Sequence, residues 1–511
     1  MQNNREIEVK FTSDPAEWER IKNSQILTPV TEMRTQNLRT IYFDTPADDL
    51  RKNGIVLRIR KKNRAAAVLG FKSAGRNAEG SFARKEVEVR SPDLQPNLAL
   101  FAKNTAADLI RIVGDRPMEA KFETQINRQA ILVGHGGSYI EVAFDKGYIV
   151  NSEQRVPLAE IELELKSGVE TGLYDLAASL AKEFSLRLDF ISKAEKGFRA
   201  IAQEKPAAAK AKPILLEAKA TVESAMTEVV SNTLAHFVAN WAALIETEDP
   251  DSIHQLRVAL RRLRSGLLMF KWVLPRGEFD DLRNEARRIA MALGPAREWD
   301  VVRAVVGEMS LLREDCPAAC EALLAALEDR RNAAYKDART VIESRDTTVF
   351  VLKVQSFLAS RAWRNGLANT ERRSLDGAAK KFAKHALVKL NARVLKRGKG
   401  FPGLSNEERH KLRIALKNLR YGTDFFGGLF GRGRMKRSYI STVSTLQHLL
   451  GAQHDVISAK KILAQLSAIS GPGSDRAAGF VTGWLSCGTA VVDEDIRKAW
   501  KKFKKAGRRW R

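Results

Sequence analysis

Over the first 200 residues, apolar and charged positions alternate with a period of two. Segments 6–11 (EIEVKF), 56–60 (VLRIR), 84–90 (RKEVEVR), 139–145 (YIEVAFD) and 160–166 (EIELELK) each predict a strand. Asn53-Gly54, Gly136-Gly137 and Asp145-Lys146-Gly147 supply turn chemistry between apolar runs. Segments 14–22 and 170–184 carry a helical pattern. At 205–213 the pattern stops: KPAAAKAKP sets Ala and Lys between two prolines and predicts a linker. Beyond it the period becomes 3.6 and stays so almost to the end, as in a helical bundle. The chain therefore divides into an α+β domain at 1–204, a linker at 205–213 and an all-α domain at 214–505. A basic tail follows at 506–511.

The helical half repeats itself. HQLRVALRRLR at 254–264 and HKLRIALKNLR at 410–420 are identical at 7 of 11 positions. LGPAREWDV from Leu293 is answered by LGAQHDVIS from Leu450, which puts Arg297 and His454 at matching places. A duplicated bundle follows, with repeats at about 214–365 and 366–505.

Charge sharpens the division. Residues 1–204 hold 31 Lys and Arg against 29 Asp and Glu, whereas the remainder holds 55 against 32. One half is balanced and the other strongly basic, so the second half needs a polyanionic partner. The three cysteines, Cys316, Cys320 and Cys487, have neither the spacing of a zinc site nor that of a disulfide framework, and read as core thiols. The N-terminus lacks an apolar signal region and no stretch reaches the length of a membrane span, so a cytoplasmic location is expected.

In a strand, residues i and i+2 share a face. Glu6, Glu8 and Lys10 lie together, as do Arg58 and Arg60, then Arg84, Glu86 and Glu88, then Glu160, Glu162, Glu164 and Lys166. The opposite faces are apolar, for example Ile7, Val9 and Phe11. Periodicity leaves two arrangements open: a half-solvated sheet with cross-strand ion pairs, or a closed barrel with a charged interior. The second would place carboxylates suited to hard cations beside guanidinium and ammonium groups suited to phosphate. Both sets together serve metal-assisted hydrolysis of a phosphoanhydride.

The strand motifs resemble the CYTH domain of the triphosphate tunnel metalloenzymes. Glu6-Ile7-Glu8-Val9-Lys10 fits its ExExK signature. Tyr42-Phe43-Asp44-Thr45, Leu57-Arg58-Ile59-Arg60, Phe71-Lys72, Arg128, Asp145-Lys146-Gly147, Glu160-Ile161-Glu162-Leu163-Glu164 and Ser192–Phe198 follow in order over about 195 residues. The resemblance implies an eight-stranded antiparallel β-barrel, a tunnel that binds triphosphate and divalent metal. It makes Glu6, Glu8, Lys10, Glu162 and Glu164 catalytic, with the four glutamates holding Mg²⁺ or Mn²⁺. It puts Lys10, Arg58, Arg60, Lys72, Arg84, Arg128 and Lys193 along the phosphate path. Glu86 and Glu88 read as ion-pair partners of these cations, and Glu195 and Lys196 depart from the family's pattern and receive no role.

In the helical half, His254, Arg257, Arg261 and Arg264 fall within roughly 80° of one another on a helix, opposite Leu256, Leu260, Leu263 and Leu267. His410, Arg413, Lys417 and Arg420 repeat the stripe opposite Leu412, Leu416 and Leu419. A solvated basic face would explain one such helix; its duplication points to a binding surface. The pair resembles the CHAD domain, over roughly 214–505, which implies that both stripes face a shared polyphosphate-binding groove. His135, His236, His385 and His448 read as structural. The whole chain resembles bacterial CYTH-CHAD inorganic triphosphatases. The expected activity is metal-dependent hydrolysis of inorganic triphosphate, with polyphosphate bound by the helical domain and possible residence on polyphosphate granules. Three alternatives stand beside it: a non-catalytic polyphosphate-granule protein, a tunnel acting on ATP or thiamine triphosphate, and a nucleic-acid binder. The last is disfavoured because the basic helices have no aromatic residues interleaved for base stacking.

Overall fold

The computed structural model describes all residues except 1–4, 64, 74–82, 103–104, 275–276, 311–316, 432–433, 471–477, 480, 484, 486–488 and 508–511. Cys316, Cys487, the side chain of Cys320 and most of the basic tail lie outside the described residues. The chain forms two compact units: 1–206 with 342–362, and 207–341 with 363–511.

The first unit is built on one antiparallel sheet. Its strands are β1 (Arg5–Thr12), β2 (Arg34–Asp44), β3 (Ile55–Lys62), β4 (Ala67–Ser73), β5 (Ala83–Ser91), β6 (Glu119–His135), β7 (Ser138–Val150), β8 (Arg155–Ser167) and β9 (Arg187–Leu188). The order is β5-β4-β3-β2-β6-β7-β8-β1-β9, and β1 pairs also with β5. The antiparallel sheet is as expected, but it has nine strands and not the eight-stranded barrel that the resemblance implies. The ninth is a two-residue strand on β1, and the β1–β5 joint is short, running from Arg5 opposite Lys85 to Ile7 opposite Ala83. Gly136 and Gly137, at φ 54° and 73°, make the tight β6–β7 turn that the sequence marks.

Alternation explains what lies on each side of β1, β3, β4 and β8. The apolar faces of β1 and β8 bury Val9, Phe11, Ile161 and Leu163. Helix α4 (Glu170–Glu183) packs against β1, β7 and β8 and buries Leu173, Leu176, Ala177 and Leu180. On the β3–β4 side, Leu57, Ile59, Leu69 and Phe71 form a second core with Leu109, Ile112 and Val113 of α3 (Ala107–Val113). Between them in sequence are α1 (Trp18–Lys22) and α2 (Asp49–Lys52). Asp44, fully buried, accepts backbone N–H bonds from Thr45, Leu50 and Arg51 at 2.7, 2.9 and 2.9 Å, so this motif residue holds the start of α2.

Strands β2 and β6 invert the rule. Their buried face carries Leu38, Thr40 and Tyr42 opposite Ile126, Thr124 and Phe122, while Gln125 and Asn127 point to solvent. Leu38, Tyr42, Phe122, Ile126, Ile149 and Leu158 pack with Ala194 and Phe198 of α5 (Lys193–Ala202) into a third core.

The second unit contains α6 (Val222–Ala239), α7 (Trp241–Glu246), α8 (Pro250–Phe270), α9 (Gly277–Ala292), α10 (Gly294–Ser310) and α11 (Pro317–Ile342). After α12 (Arg345–Ser360) come α13 (Asn369–Asp376), α14 (Ala379–Arg397), α15 (Asn406–Phe426), α16 (Arg434–Ser470) and α17 (Thr489–Gly507). The repeated helices α8 and α15 begin on strong caps: Asp249 accepts from the Asp251 N–H with Pro250 at the first turn, and Ser405 forms a capping box with Glu408. Both leucine stripes are buried, and Phe270, Phe382 and Phe426 gather with ring centroids 5.3–6.0 Å apart. Segment 205–213 has no helix or strand, yet it is tied down. Asn240 pairs with the Ala209 backbone through two 2.9 Å bonds, and Asn232 donates to the Lys212 carbonyl.

Helix α12 belongs to the first unit. It packs on α4, Ser356 donates to Asp175 at 3.2 Å, and Glu343 just before it pairs with Arg187 at 2.7 Å. A 3.6 period marks α12 as a helix but carries no word of which unit it joins. On the chain's return, Trp363 and Arg364 bind the Glu223 carboxylate at 3.0 and 2.6 Å.

Candidate functional site

The inward faces of β1, β3, β4, β6 and β8, with the start of α5, enclose one polar cavity. Glu6, Glu8, Lys10, Arg58, Arg60, Lys72, Arg128, Glu162, Glu164 and Lys193 all line it. Arg84 lies opposite Glu6 on β5, but its side chain is outside those described. Period two supplies the faces, and register supplies the meeting: Glu8 stands opposite Glu164, and Lys10 opposite Glu162.

Two environments share this cavity. Glu162 is a hub: Lys10 lies 3.0 Å away, Lys193 2.8 Å, and Arg128 also binds it. Burial pushes its carboxyl up, but Lys10, Lys193 and Arg128 outweigh this and hold it well below the ordinary carboxylate range. Asp145 and Glu160, both fully buried, extend the network. Arg128 meets Asp145 at 2.6 Å, Lys193 meets both, and Lys196 reaches Glu160 at 2.8 Å. Asp145, Glu160 and Glu162 are close enough together to share a cation, yet ammonium and guanidinium groups already engage them.

The other environment is acidic and less compensated. Glu164 is pushed above its usual range by burial, with Glu6 and Glu141 adding to it against Lys166 at 2.8 Å. Glu8 has Lys10 at 3.2 Å, and Glu6 has Lys72. Neighbouring carboxylates of this kind form an oxygen-rich set of the type a hard divalent cation prefers. Glu6, Glu8 and Glu164 offer suitable oxygens, but among the described residues only Asp145, Glu160 and Glu162 bring their carboxylate oxygens within 4.8 Å of one another, and Glu162 is held by Lys10, Lys193 and Arg128.

The cationic wall is uneven as well. Arg58 pairs with Glu86 at 2.5 Å and lies 3.5 Å from Glu88, as the strand pattern suggests. Arg60 has no ion pair among the described residues, and its Nε has no hydrogen-bond partner. Burial, with Arg58 and Arg128 nearby, lowers its pKa. Thr40, Tyr42 and Thr124 also line it; sequence reasoning passed over them because, Arg128 apart, the inward faces of β2 and β6 carry no charge.

In the second unit α8 and α15 touch through Ser265, which donates to Asn418 at 2.9 Å. Lys417 feels Arg261 and Arg413, so the two basic stripes do converge. The repeated Leu-Gly has a local role. A Cβ on Gly294 would come within 3.3 Å of the Arg257 guanidinium, and one on Gly451 within 3.9 Å of that of Arg413. Arg413 reaches Asp455 at 3.3 Å, and the His410 and His454 rings lie 5.1 Å apart.

Burial, with Arg261 beside it, brings Arg257 down to about 10. Burial, then Arg261 and Arg413, brings Lys417 down to about 7. His254 and His454 fall to about 4, each through burial first and then arginine charge. Near pH 6.5 the rings of His254 and His454 are therefore neutral, and Lys417 titrates near neutrality. His236 is buried, hydrogen-bonded to Gln255 at 3.1 Å and likewise lowered to about 4, as befits a core residue. Arg283 and Arg287 of α9 stand near Arg264 and were missed, since nothing in the second repeat's sequence echoes them.

Residues 4–198 match the family model of the CYTH domain, and residues 228–464 that of the CHAD domain. An inorganic triphosphatase of Haemophilus influenzae is 34% identical over 203 residues, 38% of this chain and 54% of that protein. An uncharacterised protein of Mycobacterium tuberculosis is 26% identical over 311 residues, 53% of each. The chain thus spans about half the length of the curated relatives it matches. The crystal structure of a CHAD domain from the plant Ricinus communis is 30% identical, covering 57% of this chain and 96% of that one, with a TM-score of 0.49. The two matched segments coincide with the sheet and its charged cavity and with the paired basic helices: the chain is a CYTH domain followed by a CHAD domain.

Proposed function

We propose that the sheet works as a closed tunnel that hydrolyses inorganic triphosphate with a divalent metal, Mg²⁺ or Mn²⁺, and that the helical domain binds polyphosphate. The observation that carries this reading is one cavity lined at once by acidic and basic side chains on paired strands. The name of the Haemophilus influenzae relative supports the substrate. Glu6, Glu8 and Glu164 would hold the metal, which would supply charge neutralisation for phosphate oxygens and polarisation of water. Arg58, Arg60 and Arg128 grip nonbridging oxygens, and the unpaired Arg60 offers the most to an incoming anion. Lys10 and Lys193, fixed by Glu162 and Asp145, stabilise charge that grows on the leaving phosphate. Strand-borne groups already held by ion pairs need little reorganisation.

In the helical domain Arg257, Arg261, Arg264, Arg413, Lys417 and Arg420, with His254 and His410, form the polyphosphate groove. The test uses the whole chain. Phosphate release is measured from tripolyphosphate, ATP and thiamine triphosphate, with Mg²⁺, with Mn²⁺ and with EDTA. Tripolyphosphate should be the best substrate, and EDTA should abolish turnover. Glu8→Gln and Glu164→Gln should each cost at least about a hundredfold in kcat, in keeping with loss of an electrostatic group at the reacting centre, while Glu195→Gln should cost little. Metal-independent turnover, or full activity in both carboxylate variants, overturns the assignment. Polyphosphate binding without any hydrolysis returns the non-catalytic reading.

A further inference from the structure

We infer that a bound phosphate chain leaves the helical groove on one side, through an arginine cluster that α8 and α9 build around Arg264 in the first repeat. This rests on the proposal that the groove binds polyphosphate. Arg264 is half-buried, and Arg287 and Arg283 of α9 and Arg261 one turn back all act on it. Among the described residues, Arg261, Arg264 and Arg287 form no ion pair. The Nε atoms of Arg261, Arg264 and Arg283 are buried without a hydrogen-bond partner. The carboxylate at hand is Asp280, 3.0 Å from Arg283, and Lys271 claims it too. Of these four guanidinium groups, only that of Arg283 has an acid paired with it among the described residues, and it shares that acid with Lys271. Buried donors and like charges held together are unfavourable unless an anion visits, and nonbridging phosphate oxygens suit guanidinium in a two-pronged bond.

The second repeat does the opposite at the equivalent place. Arg420, the counterpart of Arg264, has Asp424 3.6 Å away one turn on, and Arg413 has Asp455. Where the second repeat has Asp424, the first has Leu268, so the difference is written in the sequence. Asp424 also faces Arg262, which adds to its hold on that end. In the first repeat Glu298 acts on Arg257 without forming an ion pair, and no acid among the described residues pairs with Arg264. The groove is symmetric in its leucines, and at its Arg264/Arg420 end it is one-sided in free charge.

The experiment titrates long-chain polyphosphate into the full chain and into R264Q/R287Q and R420Q, each at several salt concentrations. Thermal melting verifies that each variant is folded. R264Q/R287Q should weaken binding by roughly tenfold or more, and its salt slope should fall by about two, one per lost phosphate contact. R420Q should cost clearly less, about twofold, because Asp424 already offsets its charge. Equal losses in the two variants, or a larger loss in R420Q, overturn the one-sided path while leaving polyphosphate binding in place. If the unaltered chain binds no polyphosphate, the functional reading fails first and takes this inference with it.

Discussion

Arg60 brings a positive charge into the first unit's interior and forms no ion pair among the described residues, although Glu88 acts on it from a distance. Such a group lowers stability in the absence of an anion and gains most when phosphate arrives. Arg60→Met should raise the melting temperature by about 2–4 °C, the effect of about 1 kcal/mol in a unit of this size, while raising KM for tripolyphosphate several-fold. A second residue-scale prediction concerns pH. Lys417 is charged below about 7 and neutral above it, and a polyanion favours the charged form. Polyphosphate affinity should therefore fall as pH rises from 6 to 8. Arg257 stays charged in that window, and the rings of His254 and His454 stay neutral. Lys417→Arg should flatten the profile in titrations at pH 6, 7 and 8. The site's members were legible because alternation and duplication put them on common faces. Their charge states were not, because burial comes from other helices that no local pattern names.

At the scale of elements, α5 is set by one contact. A Cβ on Gly197 would fall 2.1 Å from the Phe122 ring, so the helix lies flat on that aromatic core. Gly197→Ala must push α5 away, and with it Lys193 at its first turn. It should destabilise the unit by about 1–3 kcal/mol in denaturant titration and lower kcat more than the stability loss explains. Helix α12 gives the complementary case. Phe350 is 1% exposed, and Phe350→Ala should cost about 3–5 kcal/mol in the melting of the first unit. Strands with one charged and one greasy face announced themselves. Strands β2 and β6 did not: apart from Arg128 their inward faces are apolar or hydroxylic, so charge does not mark them. Likewise the period of α12 predicted a helix, whereas its partner α4 lies far off in sequence.

For the whole molecule, the uneven charge of the two halves has a measurable result. Charges in the tunnel are largely paired within it, whereas the basic half must draw on long-range attraction. Raising salt from about 50 to 200 mM should weaken polyphosphate binding by at least tenfold, and should change KM for tripolyphosphate much less. The division into halves was legible in composition; its interleaving was not, since the chain leaves the second unit at Ile342 and rejoins it at Trp363. That detour bears on how the protein is made. A ribosome delivers the nine strands early, but α12, which covers part of α4, only after the first helices of the second unit have emerged. The first unit therefore waits, with an apolar face uncovered, while its neighbour is being synthesised. A chain cut short anywhere before residue 362 loses part of both units at once.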